Sequence, residues 1–134
     1  MKENKYDSLL QAGFEIGYHN HSFEFLPNID KIVPWNEIIN RTNLKLEIDT
    51  FWAFNAGLNP ISLMQEYLKR IIAIHLKDGI PGKMDCPLGK GKAPIQAVHQ
   101  KALEHFIPII IESETCNPSG IAEIQMCMDY LKAI

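Results

Sequence analysis

Four stretches of the 134-residue chain carry residue types that can hold a cation or move a proton. They are His19-Asn20-His21 with Glu24 three residues on, then Asp49, His75 and Glu112. Successive groups stand about one 30-residue strand–helix unit apart. Histidine with carboxylates is a mixed N/O donor set that suits Mn²⁺, Mg²⁺, Co²⁺ or Zn²⁺ and argues against soft-metal or iron–sulfur chemistry. Such an ion can grip vicinal hydroxyl and carbonyl oxygens of a sugar and stabilise the enediolate formed when a carbon-bound proton leaves. A carboxylate in the same place can take that proton and return it elsewhere.

Each residue also has an ordinary reading. His75 alone is better explained by a hydrogen-bonded strand-end histidine. Asp49 before Thr50 suits the cap of the next helix or turn, and Glu112 with Glu114 a solvated loop pair. His19, Asn20 and His21 could form a polar network, with the two histidines on one strand face. Lys77-Asp78 reads equally as a surface turn. His99 and His105 fall on a helix outside the pattern, facing solvent. The ligand reading gains from coincidence, since four units each end in the right residue class.

The elements that must position these residues alternate. A helix tail over residues 3–12 is stopped by Gly13, and Phe14 to His21 has strand character. Pro34-Trp-Asn-Glu-Ile-Ile-Asn-Arg has helical spacing with proline at a first-turn position, and Leu44-Lys-Leu-Glu-Ile-Asp is a second strand. Asn59 caps a helix that begins at Pro60 and runs to Leu68. Ile71-Ile-Ala-Ile-His-Leu is a third, nearly continuous apolar strand of the kind covered on both faces. A glycine-bearing loop from Lys77 to about Ala93 precedes a helix from Ile95 to roughly His105. Pro108-Ile-Ile-Ile-Glu is a fourth strand, and a last helix spans about Ser119 to Leu131. One helix followed by four strand–helix units argues for parallel pairing. A doubly wound nucleotide binder would need a glycine-rich turn after the first strand, and Asn20-His-Ser-Phe-Glu contains no glycine. In a barrel, by contrast, one ligand per strand end converges on a point above the C-terminal face.

The length suits one modest domain, residues 1–134. The net charge of −3 offers no basic field for a nucleic-acid backbone. The longest apolar run, Phe106 to Ile111, is too short to cross a bilayer, and Met1-Lys-Glu-Asn-Lys-Tyr lacks the apolar core of a signal peptide. Cys86, Cys116 and Cys127 form no C-x-x-C pair and are expected as reduced thiols of a cytoplasmic protein. Cys127 is expected as a small buried hydrophobe.

The chain resembles the sugar phosphate isomerase/epimerase family of the xylose isomerase-like TIM-barrel superfamily over nearly its whole length. The segments that carry the resemblance are Gly17-Tyr-His-Asn-His-Ser-Phe-Glu-Phe, Leu46-Glu-Ile-Asp-Thr-Phe-Trp-Ala-Phe-Asn-Ala-Gly, Arg70-Ile-Ile-Ala-Ile-His-Leu-Lys-Asp-Gly, Leu88-Gly-Lys-Gly and Ile110-Ile-Glu-Ser-Glu. The resemblance implies an α/β chain forming strands five to eight, the (βα)4 half of a (β/α)8 barrel, preceded by one helix. It implies Asp49, His75 and Glu112 as ligands of a divalent ion, Mn²⁺ first. At the first strand many relatives have Glu-Asn-His where this chain has His19-Asn20-His21. Either His19 takes that place or Glu24 reaches back into the site; Glu24 is favoured because a carboxylate restores the usual ligand chemistry. His21 and Lys77 are implied as substrate-binding or proton-handling groups, with His19 an alternative substrate contact. Glu112, with Glu24, is implied as a base, and Trp52 and Phe51 as walls of the sugar pocket, packing of that loop being an equal alternative.

The implied activity is metal-assisted isomerisation or epimerisation of a sugar, keto-sugar or inositol-like polyol. A non-catalytic remnant that keeps the metal and a polyol pocket is the second reading. The third is metal-dependent phosphodiester cleavage of damaged DNA, which five histidines and a negative net charge disfavour. A complete barrel needs roughly 250 residues, and beginning at a helix tail is what truncation before the fifth strand would produce. Four strands without closure leave two bare edges and an inner face expected to be Ile, Leu and Val. Self-association into a homodimer is the expected remedy.

Overall fold

Side chains alternate across a strand, so the four apolar runs each have to present one face to helices and the other elsewhere. The computed structural model describes residues 5–83 and 85–134. In chain order they form α1 (Lys5–Gln11), β1 (Gly17–His19), a 3-10 turn (Phe23–Phe25), α2 (Pro34–Arg41), β2 (Lys45–Asp49), α3 (Thr50–Asn55), α4 (Pro60–Tyr67), β3 (Ile71–Leu76), β4 (Asp78–Gly79), β5 (Asp85–Cys86), α5 (Ile95–Glu104), β6 (Ile109–Ile111) and α6 (Gly120–Ala133). Residues 3 and 4 of the expected first helix lie outside the described residues.

The main sheet has the order β1-β2-β3-β6, and every neighbouring pair is parallel. This is the strand complement of half a (β/α)8 barrel, and β1 and β6 are its edges. β4 and β5 form a separate two-residue antiparallel ribbon within the long loop after β3. Of the expected elements only β1 is much shorter than its apolar pattern. The helix Thr50–Asn55 adds an element, and its N-cap is Asp49.

Between β2 and β3 the register slips: Leu46 faces Ile71, but Glu47 faces Ala73, leaving Ile72 as an extra residue. This bulge sets the parity of everything downstream. Leu46, Ile48, Ile74 and Leu76 all fall on the helix-covered side and are completely buried with Met64, Val98, Ala102 and Cys127. Burial of each such Leu or Ile side chain contributes about 1.5–3 kcal/mol. The opposite face carries His19, Glu47, Asp49, Ala73, His75 and Ile110. The expectation of an open face of Ile, Leu and Val is therefore corrected: the branched residues went under the helices, and only Ile110, 43% exposed, leaves a large apolar side chain on β6 uncovered.

Two polar devices fix the frame. The Arg70 guanidinium donates to the carbonyls of Ile39, Thr42 and Leu44, tying the end of α2 and the entry to β2 to the start of β3. Asp78, 1% exposed, accepts from the amides of Gly79, Gly89, Gly91 and Ala93, so one carboxylate organises the whole loop before α5. A Cβ on Gly91 would overlap that carboxylate, which is why the position needs glycine. Lys77-Asp78 is thus no surface turn; both residues are buried. All three cysteines are free, and Cys127 is fully buried. Among the described residues no helix is long and apolar enough to cross a membrane.

Candidate metal centre

Asp49 ends β2 and is held from both sides. Asn20 Nδ2 donates to the Asp49 carbonyl at 3.1 Å, and the Asp49 amide donates to Asn20 Oδ1 at 3.0 Å. The buried Asn20 side chain thereby replaces one rung of backbone pairing just past the end of β1. On the other side Thr50 Oγ1 donates to the His75 carbonyl at 3.0 Å. Asp49 Oδ1 accepts from the Trp52 amide at 2.9 Å and caps α3, so the capping role foreseen for this residue is real and uses one oxygen only.

The second oxygen is the unusual one. Asp49 Oδ2 is buried without a hydrogen-bond partner, and so is His19 Nε2, 3.6 Å away. A buried polar atom left unpaired costs about 1–3 kcal/mol, more if charged, and here two such atoms face each other. His75 Nδ1 lies 3.9 Å from the same Oδ2 and 2.9 Å from Glu112 Oε2. One donor atom from each of His19, Asp49, His75 and Glu112 lies within 4.8 Å of the other three. Two imidazoles and two carboxylates at the C-terminal ends of four adjacent parallel strands fit a divalent cation, and the unsatisfied Asp49 and His19 atoms are what such an ion would satisfy.

Lys77, one residue past β3, is fully buried beside this group. Its Nζ is 2.8 Å from Glu114 Oε1, 3.7 Å from Glu112 Oε2 and 4.9 Å from the centre of the Trp52 ring. Burial pulls its ammonium towards neutrality, but the close Glu114 carboxylate and the charges of Glu112 and Asp49 outweigh it and raise the pKa. For Glu112, burial alone would raise the carboxyl; the hydrogen bond from His75 and the Lys77 charge prevail and hold it below the ordinary value. Both groups are charged at neutral pH.

No protein-family model matches the sequence, and no curated protein does. Solved structures do match. A sugar phosphate isomerase/epimerase from Parabacteroides distasonis aligns with a TM-score of 0.79 at 22% identity, over 98% of this chain and 51% of its own. The chain shares its fold. A second sugar phosphate isomerase/epimerase from the same organism gives 0.73 at 24% identity, over 95% and 48% of the two chains. A xylose isomerase domain protein from Planctomyces limnophilus gives 0.66 at 19% identity, over 92% and 46%. The chain spans about half the length of the solved structures it matches.

Glu24, favoured from sequence as the first-strand ligand, is not brought to this group; His19 is. The turn Phe23–Phe25 folds Glu24 back beneath the strand, 1% exposed, where Oε1 accepts from the Tyr18 hydroxyl and Oε2 from the His21 amide, both at 2.8 Å. Burial and this carboxylate push the Tyr18 phenol up to about 12. With both oxygens engaged, Glu24 shapes the end of β1. His21 stands on the rim, exposed, its ring 5.0 Å from that of His19, stacked on Phe23 at 5.8 Å and 5.9 Å from Trp52. Trp52 faces the site, whereas Phe51 is fully buried and packs where Gly79 must lack a Cβ. Phe51 thus takes the packing role, while the Trp52 ring lies beside Lys77 and His21. His99 is half-buried on α5 and His105 exposed at its end, both outside the group.

Sequence reading passed over Glu47 and Glu123. Glu47 lies two residues before Asp49 on the same strand face, and its Oε1 is 3.3 Å from His75 Nε2. Glu123, in the first turn of α6 and fully buried, accepts from the hydroxyls of Ser113 and Thr115 and from the Asn117 amide at 2.9 Å, so it clamps the segment that carries Glu112 and Glu114. Burial would raise its carboxyl, but these hydrogen bonds hold it below the ordinary glutamate value. A folded-state pKa below the unfolded one adds stability that is complete above the unfolded value and is lost as pH falls through the folded one. Glu123→Gln is therefore expected to cost about 1–3 kcal/mol at neutral pH and to flatten the acid limb of a denaturation-against-pH series. An identical acid limb in both proteins would show that Glu123 is not a source of it.

Proposed function

We propose that this chain carries the cation-holding half of a divalent metal-dependent isomerase or epimerase acting on a sugar, keto-sugar or inositol-like polyol. The single observation that supports this is the group formed by His19, Asp49, His75 and Glu112, with Asp49 Oδ2 and His19 Nε2 buried and unsatisfied in it. Mn²⁺ is the first choice of ion, ahead of Mg²⁺, Co²⁺ and Zn²⁺; when bound it supplies Lewis acidity to adjacent oxygens of the sugar. The ligand set in this reading is His19, Asp49, His75 and Glu112, with Glu24 left in its structural place.

The protein's own groups do the rest. Glu112, ionised and at the edge of the group, takes the carbon-bound proton and returns it. The buried Lys77 ammonium places a fixed positive charge where negative charge grows on substrate oxygen. Trp52, with His21 at the rim, offers an aromatic surface to the C–H face of a sugar ring. Transfer of solvent deuterium into a ketose, dependent on added Mn²⁺, is the expected result; bound Mn²⁺ with no exchange into any of a panel of ketoses and inosose-like polyols would favour the binding-only remnant instead.

A homodimer belongs to the same proposal. Both edge strands have an unpaired side, and large apolar side chains stand exposed on the elements flanking them: Leu9, Leu10 and Phe14 before β1, and Ile121, Ile124 and Met128 on α6 after β6. Light scattering is expected to return twice the 15.3 kDa chain mass, and a clean monomer at micromolar concentration would defeat this part. The free thiols suit a cytoplasmic setting.

A further inference from the structure

The two nitrogens of His75 face different carboxylates. Nδ1 points into the candidate centre, towards Glu112 and Asp49, whereas Nε2 points down the open face of the sheet to Glu47, 3.3 Å away. Glu47 is one inward-facing position below Asp49 on β2, and the side chains of Glu47 and His75 are 28% and 16% exposed. The bulge at Ile72 makes this meeting possible: with Ile72 taken up as the extra residue, Glu47 stands beside Ala73 and Asp49 beside His75. Without that insertion the parity of β3 relative to β2 would reverse, and the imidazole would turn to the helix-covered side.

We propose that Glu47 is a positioning residue for the centre, accepting a hydrogen bond from His75 Nε2–H and so fixing the tautomer that presents the Nδ1 lone pair to a divalent cation. The inference rests on the reading of His19, Asp49, His75 and Glu112 as a cation site. The chemistry is simple. A neutral imidazole carries one proton; in the metal-free structure the 2.9 Å contact with ionised Glu112 places it on Nδ1, and an ion at Nδ1 requires it to move to Nε2, where Glu47 is the acceptor. A carboxylate accepting it holds the ring plane and raises the basicity of the opposite nitrogen, and removal of such a partner weakens metal binding about 10- to 100-fold. Glu47 meets the group at His75 Nε2, and its negative charge is also felt by His19.

The test is Mn²⁺ affinity, measured by electron paramagnetic resonance on wild type, Glu47→Gln, Glu47→Ala and Asp49→Ala, with the unfolding midpoint of each metal-free protein taken alongside. Glu47→Ala is expected to weaken binding about 10- to 100-fold with its midpoint unchanged, and Glu47→Gln to weaken it less, because an amide oxygen still accepts from Nε2–H. Independently, long-range ¹⁵N–¹H spectra of the Zn²⁺-loaded wild type should place the His75 proton on Nε2, a measurement that needs no variant to fold. Glu47→Ala binding Mn²⁺ within about twofold of wild type, while Asp49→Ala abolishes it, would overturn the inference and leave the cation site standing. A His75 proton on Nδ1 in the Zn²⁺ form would overturn it as well. If the wild type binds no Mn²⁺, the cation site itself is wrong and this inference falls with it.

Discussion

Replacing Asp49 by asparagine should weaken Mn²⁺ binding by more than about 100-fold while making the metal-free protein more stable. The two effects come from different oxygens of one side chain. Oδ1 caps α3 by accepting from the Trp52 amide, and asparagine caps helices as well as aspartate does. Oδ2 is buried, unpaired and 3.6 Å from His19 Nε2. Exchanging it for an amide group removes a desolvated charge and lets the new N–H₂ donate to Glu112 or His19, a gain of about 1–2 kcal/mol. The same exchange deletes the central anionic donor, and about 3 kcal/mol of lost binding corresponds to roughly 100-fold. Urea denaturation of metal-free protein and Mn²⁺ titration read the two halves separately. A variant that loses stability, or that still binds Mn²⁺ as the wild type does, would show that Oδ2 is satisfied by something other than a cation.

Glu112→Gln should reduce Mn²⁺-dependent exchange of solvent deuterium into substrate by about 10²–10⁴-fold, the usual contribution of a positioned general base. The substitution keeps shape but removes the charge that pairs with Lys77 Nζ at 3.7 Å and with His75 Nδ1 at 2.9 Å. Mn²⁺ affinity will fall too, so the rates are compared at saturating ion. Lys77 retains its closer partner Glu114 at 2.8 Å, which is why its buried ammonium should survive the change and the fold with it. Exchange within a few-fold of wild type at saturating Mn²⁺ would remove Glu112 from the proton-transfer role and leave it a ligand only.

Much of the centre could be read from the chain because three of its members sit at ends of strands with strong apolar signatures. Lys45–Asp49, Ile71–Leu76 and Ile109–Ile111 are continuous enough that Asp49, His75 and Glu112 could be placed at their C-terminal ends. The fourth member was ambiguous for a local reason. Whether His19 or Glu24 enters the group depends on three residues, Phe23–Phe25, forming a 3-10 turn that buries Glu24 against Tyr18; no spacing rule distinguishes that turn from an extended one. The helix Thr50–Asn55 was hidden by its composition, since Thr, Phe, Trp and Phe are middling helix formers, and the Asp49 cap was the only signal. Glu47 could have been found: residues two apart on a strand share a face, so the same parity that placed Asp49 inward placed Glu47 inward also. The open face was misjudged because average strand composition says nothing of which side each residue takes, and the one-residue bulge at Ile72 decides that.

All four donors of the candidate centre lie on consecutive strands of a single sheet, and none comes from beyond its edges. On the proposed reading, whatever pairs with the sheet edges could therefore be exchanged, as one cassette for another, without disturbing the grip on a cation. In such an arrangement selectivity for one sugar over another would be grafted on from outside, whereas the electrophile would travel with these four strands.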